Sequence, residues 1–181
     1  VVEMKNWKRA MFYDDTDLPW VIPSPNFPSI ETALVYTGTC IFEGTNLSEG
    51  RGTTIPFQVI GAPFIDANAW AKALNDLNLE GVVFRPAYFT PTFSKNANQL
   101  NKGVQVHVTD RNKFSAVKTG WAMLEIVRQM YPNDVKTNSS LNSLTGTNYI
   151  TNRTYTLQEQ FDILKRDTQT FGLTRAKYLI Y

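Results

Sequence analysis

Hydrophobic residues along this chain follow two periods, one typical of helices and one typical of strands. Segments with one period alternate with segments that have the other. Apolar residues spaced three and four apart predict amphipathic helices, whereas alternating or short continuous apolar runs predict strands. The predicted helices cover residues 29–38, 66–81 and 115–130, and a fourth begins after Thr156. The predicted strands cover residues 39–42, 57–60, 82–89 and 104–108. Helices that alternate with strands indicate a mixed α/β (α+β) domain.

Capping residues mark the predicted ends of these helices. Ser29 and Asp66 carry side-chain oxygens that accept the first free N–H groups of a helix. The run Thr156-Leu157-Gln158-Glu159 is a capping box. Gly38 and Gly81 stand where a glycine commonly ends a helix. We therefore expect two helices to stop at these glycines.

Two stretches, in addition to residues 43–54, show neither period. Residues 5–28 contain Pro19, Pro23, Pro25 and Pro28 with aromatic residues between them. Proline fixes φ and removes a backbone donor, so this proline-rich segment is predicted to be extended, as surface or site segments are. Residues 133–153 are polar, and we interpret them as a variable loop.

Length and charge limit the possible functions. With 181 residues, 43% of them hydrophobic, the chain fits one domain over residues 1–181. Its 18 Lys and Arg against 16 Asp and Glu give a formal charge of +2 without any basic run, which argues against a nucleic-acid surface. No apolar run approaches the roughly 20 residues of a membrane span.

Cysteine and histidine are nearly absent. Cys40 is the only cysteine, so no intrachain disulfide is possible, and we expect it to be a small buried hydrophobe. One cysteine and one histidine on separate strands do not make a metal-ligand set, so no metal site is predicted. The chain begins with Val1-Val2-Glu3-Met4, which we interpret as the start of a piece of a longer protein.

The most informative polar stretch is the site loop, residues 43–54. It carries Glu43, Glu49 and Arg51 among glycines and follows a predicted buried strand, where α/β proteins place ligands. Arg51 would pair with a carboxylate on a ligand, or with Glu43 or Glu49 in an ordered surface loop. The spacing of the glycines matches neither a phosphate loop nor a dinucleotide fingerprint, so both interpretations stay open.

His107 is the only histidine. On a strand it faces away from Val104, Val106 and Val108, where it would titrate near neutrality and assist a reaction. The alternative is a histidine hydrogen-bonded to Asp110 or to the backbone.

Several long motifs are spread over nearly the whole chain. They are the run from Glu43 to Thr53 and six further runs: Pro23-Ser24-Pro25-Asn26, Ile60-Gly61-Ala62-Pro63-Phe64-Ile65-Asp66, Phe84-Arg85-Pro86, Phe89-Thr90-Pro91-Thr92-Phe93-Ser94-Lys95, Gly103 to Arg111, and Lys177-Tyr178-Leu179-Ile180-Tyr181. Together these motifs resemble the bacterial exo-β-N-acetylmuramidase family, NamZ.

This resemblance implies a peptidoglycan-recycling glycosidase that removes N-acetylmuramic acid from non-reducing ends. It also implies a bimodular protein: a Rossmann-like amino-terminal module, absent from this sequence, and a second module with a partly barrel-like sheet and flanking helices. The active site would lie in the cleft between the modules. The expected partners are a muramic-acid-containing sugar and the amino-terminal module, no cofactor is expected, and the family suggests a periplasmic or otherwise exported protein.

The resemblance also suggests roles for individual residues. Glu43 and Glu49 are the candidate catalytic carboxylates, because glycosidases work with two carboxyl groups. Arg51 would hold the lactyl carboxylate that distinguishes muramic acid from glucosamine. The remaining candidates for contact with the sugar are Thr45, Asn46, Thr53, Phe89, Thr90 and His107.

Two other functions stay open. The chain would be a carbohydrate-binding or scaffold module that does no chemistry, or a complete small enzyme that uses Glu43 and Glu49 alone. In the leading interpretation it forms one wall of the active site, and the principal acid lies on the amino-terminal module.

Overall fold

A computed structural model describes all 181 residues as six α-helices beside a small sheet. The helices are α1 (Ile30–Thr39), α2 (Ala67–Asn75), α3 (Ala116–Met130), α4 (Ser140–Thr145), α5 (Tyr149–Asn152) and α6 (Leu157–Ala176). The strands are β1 (Val59–Ala62), β2 (Val82–Phe89) and β3 (Asn101–Val108). None of the helices combines the length and apolar character that a bilayer crossing requires.

The sheet is open and antiparallel, in the order β1-β3-β2. β3 lies in the middle, where Gly103 pairs with Gly61 on one side and with Ala87 on the other. Helices α1 and α2 pack on the sheet, α3 packs on α1 and α2, and all three share one buried core with the sheet. The predicted mixed α/β fold is confirmed.

Most of the predicted helix starts are confirmed. The Ser29 side chain accepts a hydrogen bond from Thr32 N, and the Asp66 side chain accepts one from Ala69 N. At α6 the capping box is complete, since Glu159 N donates to Thr156 Oγ1 and Thr156 N donates to Glu159 Oε2 at 2.8 Å. These local contacts position the helices that carry the core.

Gly38 does not end a helix, contrary to the prediction. It lies inside α1, where a Cβ would stand 1.8 Å from the carbonyl oxygen of Ala116. On α3, a Cβ at Gly120 would stand 2.1 Å from the carbonyl oxygen of Gly38. The glycines are needed because the backbones of α1 and α3 touch at this crossing. Gly81 also does not end α2, which stops at Asn75; its positive φ instead leads the chain into β2.

The predicted strand over residues 39–42 is wrong. α1 continues to Thr39, and a 3-10 helix, Cys40–Gly44, follows it directly. Ile41 and Phe42 are buried there. A short apolar run fits a buried helix as well as a buried strand, so the period alone could not decide.

Residues 133–153 are not all loop either, because α4 and α5 lie within them. Each of these short helices contributes one buried apolar residue, Leu141 or Ile150, to the core. One apolar residue per helix is too few to produce a visible helical period.

The proline-rich segment forms no α-helix, as predicted, but it is not extended throughout. It contains a 3-10 turn at Tyr13–Asp15 and two tight turns, in which Met11 N donates to Lys8 O and Phe27 N donates to Ser24 O. Arg111 anchors it by donating to Asp14 Oδ1 at 2.7 Å, and this hydrogen bond lowers the pKa of Asp14. Near the chain ends, the rings of Trp7 and Tyr181 meet edge to face at 4.9 Å. These contacts hold the first part of the segment against the domain, and at its end Phe27 packs on Tyr36 and Phe57 beside the site loop.

Candidate active site

The site loop begins at the end of the 3-10 helix, with Glu43, and closes in a tight turn. Thr53 N donates to the carbonyl oxygen of Gly50 at 3.1 Å. Gly50 and Gly52 both have a positive φ. Side chains disfavour that region of backbone conformation, and glycine does not. This turn projects Arg51 back over the loop.

Arg51 joins the two predicted carboxylates. Its Nε lies 3.1 Å from Glu49 Oε1, and its Nη2 lies 3.0 Å from Glu43 Oε2. The guanidinium also stacks on the ring of Phe57, with Cζ 5.1 Å from the ring centroid, a favourable cation–π arrangement. The structure therefore brings Glu43, Glu49 and Arg51 together, and Arg51 lies between the two acids.

The two glutamates differ in how much of each carboxylate is free. The side chain of Glu49 is only 3% exposed, and Lys95 Nζ lies 2.9 Å from its second oxygen, Oε2. The side chain of Glu43 is 32% exposed, and its one ion pair uses Oε2. Glu43 thus keeps an oxygen for a ligand, whereas both oxygens of Glu49 already have cationic partners.

A shallow cavity of about 390 Å³ adjoins Arg51. Its lining residues come from the proline-rich segment, α1 and the site loop with the residues just after it: Pro23, Ser24, Asn26, Phe27, Tyr36, Arg51 and Phe57. The rings of Phe27 and Phe57 both meet Tyr36 edge to face, at 4.7 and 4.8 Å. Burial, and then the charge of Glu43, raise the pKa of Tyr36. The cavity offers aromatic surface beside one guanidinium.

Comparison with known proteins identifies the family. The profile described as "Exo-beta-N-acetylmuramidase NamZ, C-terminal" matches residues 34–181. The chain belongs to the NamZ family. The companion profile, "Exo-beta-N-acetylmuramidase NamZ, N-terminal", matches residues 1–31. The predicted single domain over residues 1–181 therefore crosses the junction of the two profiles, and it stays a prediction.

A curated NamZ relative is the Peptidoglycan beta-N-acetylmuramidase NamZ of Bacillus subtilis (strain 168). It is 48% identical over 186 residues, which cover 100% of this chain and 45% of the relative. The chain thus spans less than half the length of that relative.

Two solved structures resemble this NamZ chain, both DUF1343 family proteins from Bacteroides fragilis NCTC 9343. The first has a TM-score of 0.87 at 31% identity, and the match covers 99% of this chain and 50% of that protein. The second has a TM-score of 0.60 at 26% identity, and the match covers 88% of this chain and 43% of that protein. Both agree with the fold described above.

The cavity lies where the two NamZ profiles meet. Pro23, Ser24, Asn26 and Phe27 fall within the residues that match the N-terminal profile, whereas the other lining residues match the C-terminal profile. A ligand in this cavity would touch both parts of the sequence.

Three other predicted sugar contacts lie in or beside the site loop, but their side chains bind the backbone. Asn46 Nδ2 donates to the carbonyl oxygen of Asp134, and Asn46 Oδ1 accepts from Lys136 N at 2.8 Å. Thr45 Oγ1 donates to Phe42 O, and Thr53 Oγ1 donates to Gly50 O. These side chains brace the loop, and their contact with a sugar stays a prediction.

His107 lies apart from the site loop, on β3 opposite Val83. Its Nε2 is buried without a hydrogen-bond partner, and its side chain makes no hydrogen bond to Asp110. Burial, and then the charge of Arg85, lower the pKa of His107. Neutral imidazole is therefore its form at neutral pH.

Phe89 and Thr90 end β2 and lead into the segment that contacts the site loop. The Phe89 ring packs over Gly61, and Thr90 is exposed. Two residues on, Thr92 N donates to the carbonyl oxygen of Gly52 at 2.9 Å. Neither Phe89 nor Thr90 lines the cavity beside Arg51.

Sequence reasoning missed four side chains that shape this site. Lys95 stands in a motif of the resemblance without an assigned role, and the aromatic residues Phe27, Tyr36 and Phe57 have none either. Ser94 and Asn96, on either side of Lys95, both have a positive φ. A serine and an asparagine so close together are typical of an ordered turn, which is the signal that could have found Lys95. No three His, Cys, Asp or Glu side chains come together as a metal-binding group.

Proposed function

We propose that this chain forms one wall of the active site of an exo-β-N-acetylmuramidase, and that Arg51 binds the carboxylate of N-acetylmuramic acid. The observation that supports it most is the placement of Arg51, which is partly exposed, held by two glutamates, and adjacent to an aromatic cavity. A guanidinium has five N–H donors, so donors remain for a ligand carboxylate after the two ion pairs.

The chemistry of the cavity suits a carboxylated sugar. Ligand sites combine apolar and aromatic walls with a few convergent polar groups. Here Phe27, Tyr36 and Phe57 supply the walls, while Arg51 and Asn26 supply polar groups. The Bacillus subtilis relative carries the name of an enzyme that acts on such a sugar in peptidoglycan.

Glu43 is the better candidate for direct contact with the substrate. Two carboxyl groups of a glycosidase flank the scissile bond with the sugar between them. Between Glu43 and Glu49 stands the guanidinium of Arg51, so these two residues are poorly placed to act as that pair. In this proposal Glu49 orients Arg51, Glu43 grips a hydroxyl or moves a proton, and the other carboxyl group lies on the amino-terminal module.

The proposal includes the remaining partners. The amino-terminal module closes the cleft over the cavity, which already contains residues matching the N-terminal profile. Hydrolysis by two carboxyl groups needs no metal or organic cofactor. Peptidoglycan fragments as the substrate imply a periplasmic or otherwise exported protein.

The test uses the full-length protein that contains this chain and a chromogenic N-acetylmuramide. Arg51→Ala should raise KM about 100-fold, because charge-assisted hydrogen bonds are the strong ones. Arg51→Lys should recover only part of this loss, since an ammonium lacks the planar fork. Lys72→Met removes an exposed ion pair with Asp76 on α2 and serves as the control. An unchanged KM in Arg51→Ala would refute the proposal.

A carbohydrate-binding wall that does no chemistry is the second candidate, favoured by the pairing of both Glu49 oxygens. Glu43→Gln separates the two functions. If Glu43 moves a proton, kcat should fall by about 100-fold or more. If it only binds, KM should rise and kcat should stay within about threefold.

A further inference from the structure

The ammonium of Lys95 has four acceptors within hydrogen-bond distance, which share its three N–H groups. Its Nζ donates to the carbonyl oxygens of Phe42, Glu43 and Leu47 at 2.7, 3.2 and 3.3 Å, and to Glu49 Oε2 at 2.9 Å. All four acceptors belong to residues 42–49, which span the turn from the 3-10 helix to the buried glutamate. The Lys95 side chain therefore links the two ends of this turn.

Lys95 reaches the turn from a distant part of the sequence, the segment after β2. That segment contacts the site loop at a second point, where Thr92 N and Thr92 Oγ1 both donate to Gly52 O, at 2.9 and 3.1 Å. A Cβ at Gly52 would stand 2.7 Å from Phe93 N, which shows how closely the two backbones approach. Thr92 and Lys95 thus fix the loop on both sides of Arg51.

The chain of contacts runs from Lys95 through Glu49 to Arg51. Each oxygen of Glu49 has its own cation, so neither is free to rotate toward the other partner. The two carboxylates and two cations balance in charge. Without Lys95 the cluster would carry one net negative charge, and the buried carboxylate of Glu49 would turn both oxygens toward Arg51. Both changes disfavour an anionic ligand.

We propose that Lys95 is a positioning residue that holds Glu49, and through it the guanidinium of Arg51, in the orientation that binds the substrate carboxylate. This inference rests on the proposed function. Lys95 does not line the cavity, so it acts on the ligand only through Glu49 and Arg51.

The test is a double-mutant cycle in the full-length protein, read as KM and kcat on the chromogenic N-acetylmuramide. Lys95→Met should raise KM about tenfold and change kcat by less than about threefold. In an Arg51→Ala background the same substitution should leave KM unchanged, because the group that it positions is gone. A residue that only supports the fold would act equally in both backgrounds.

If Lys95→Met does not fold, Lys95→Arg takes its place in the double-mutant cycle. It retains the charge, but a planar guanidinium does not fit among four acceptors arranged around one nitrogen. We expect a KM increase of about threefold that again disappears in the Arg51→Ala background.

The two proposals fail in different ways. A raised KM in Arg51→Ala together with an unchanged KM in Lys95→Met overturns only the role of Lys95. Equal effects of Lys95→Met in both backgrounds overturn it as well. An unchanged KM in Arg51→Ala overturns the proposed function itself.

Discussion

Two clusters in this molecule pair a buried glutamate with arginine, and they differ in what surrounds the arginine. In the site cluster, Glu49 holds Arg51, whose side chain is 29% exposed beside the cavity. In the second cluster, on α3, Glu125 forms its ion pair with Arg153, 2.8 Å away, and lies near buried Arg128, whose Nη1 donates to the carbonyl oxygen of Ile150 on α5 at 2.7 Å. Burial lowers the pKa of Arg128, although the charge of Glu125 opposes the shift.

The difference separates a binding group from a structural one. Arg128 uses its charge to attach α5 to α3, and Glu125 accepts hydrogen bonds from Gln129 and Arg153 within the same region. Arg51 also holds Glu43, at the end of the 3-10 helix, but it keeps donors beside an aromatic cavity. An ion pair with a buried glutamate does not by itself mark a functional site, since Glu125 has one with Arg153, whose side chain is 43% exposed. A paired cation that lines a cavity, as Arg51 does, favours a functional site.

The largest expected effect comes from breaking the structural cluster. Glu125→Ala removes the acceptor of Arg153 and leaves Arg128 without a compensating charge, so unfolding free energy should fall by about 3–5 kcal/mol. KM should not change. Urea denaturation and steady-state kinetics measure the two quantities. A raised KM with unchanged stability would reverse the assignment of the two clusters.

A matched pair of glycines compares the site loop with the turn after α4. Gly52 and Gly146 both have positive φ, but a Cβ at Gly52 would meet the backbone of Phe93, whereas a Cβ at Gly146 would meet nothing within 4 Å. Gly52→Ala should destabilise by about 3 kcal/mol and raise KM, because strain and a backbone clash add. Gly146→Ala should cost about 1 kcal/mol, from backbone strain alone, and leave KM unchanged. Equal losses of stability for the two variants in thermal unfolding would argue against the close approach of the Gly52 and Phe93 backbones.

Substitutions of the two site glutamates should lower the unfolding free energy by different amounts. Glu49→Gln leaves Lys95 and Arg51 with a neutral partner, so unfolding free energy should fall by about 2 kcal/mol. Glu43→Gln should change it by less than about 1 kcal/mol, because that pair is partly exposed. Denaturation curves at one pH test this. Equal losses for both variants would contradict the different roles of Glu43 and Glu49.

The smallest effect concerns His107, which lies outside both clusters. Its folded pKa lies below the ordinary 6.5. The unfolded chain therefore binds the proton first, and stability falls as pH drops below about 6.5. His107→Gln should remove this part of the pH dependence without altering KM. Unfolding free energies at pH values of about 7.5 and about 5 compare the two proteins. A changed KM would place His107 in the site after all.

Sequence pattern predicted most of the fold, because its signals are local. The amphipathic period of α3 and the capping box of α6 are written in neighbouring residues. The prediction for Gly38 is wrong, since the reason for that glycine lies on α3, far along the chain. The helical state of Cys40–Gly44 was missed because a short apolar run fits two structures.

Only the part of the candidate site that is local in the sequence was predicted. Glu43, Glu49 and Arg51 lie within nine positions, so their proximity was visible in the sequence. Lys95 and Phe27 reach the loop from opposite directions along the chain, and no local pattern reports contacts at such separations. Asn46 was predicted as a sugar ligand from its residue type, while its backbone partners, 88 and 90 positions away, were invisible.

Inhibition by two free sugars tests the central claim most directly. N-acetylmuramic acid and N-acetylglucosamine differ by the lactyl group, so the ratio of their inhibition constants on the full-length protein isolates recognition of the carboxylate. In the wild-type protein N-acetylmuramic acid should inhibit about 100-fold more strongly, and in Arg51→Ala the ratio should fall to near one. A ratio that Arg51→Ala leaves unchanged would contradict the role of Arg51 as the carboxylate-binding residue.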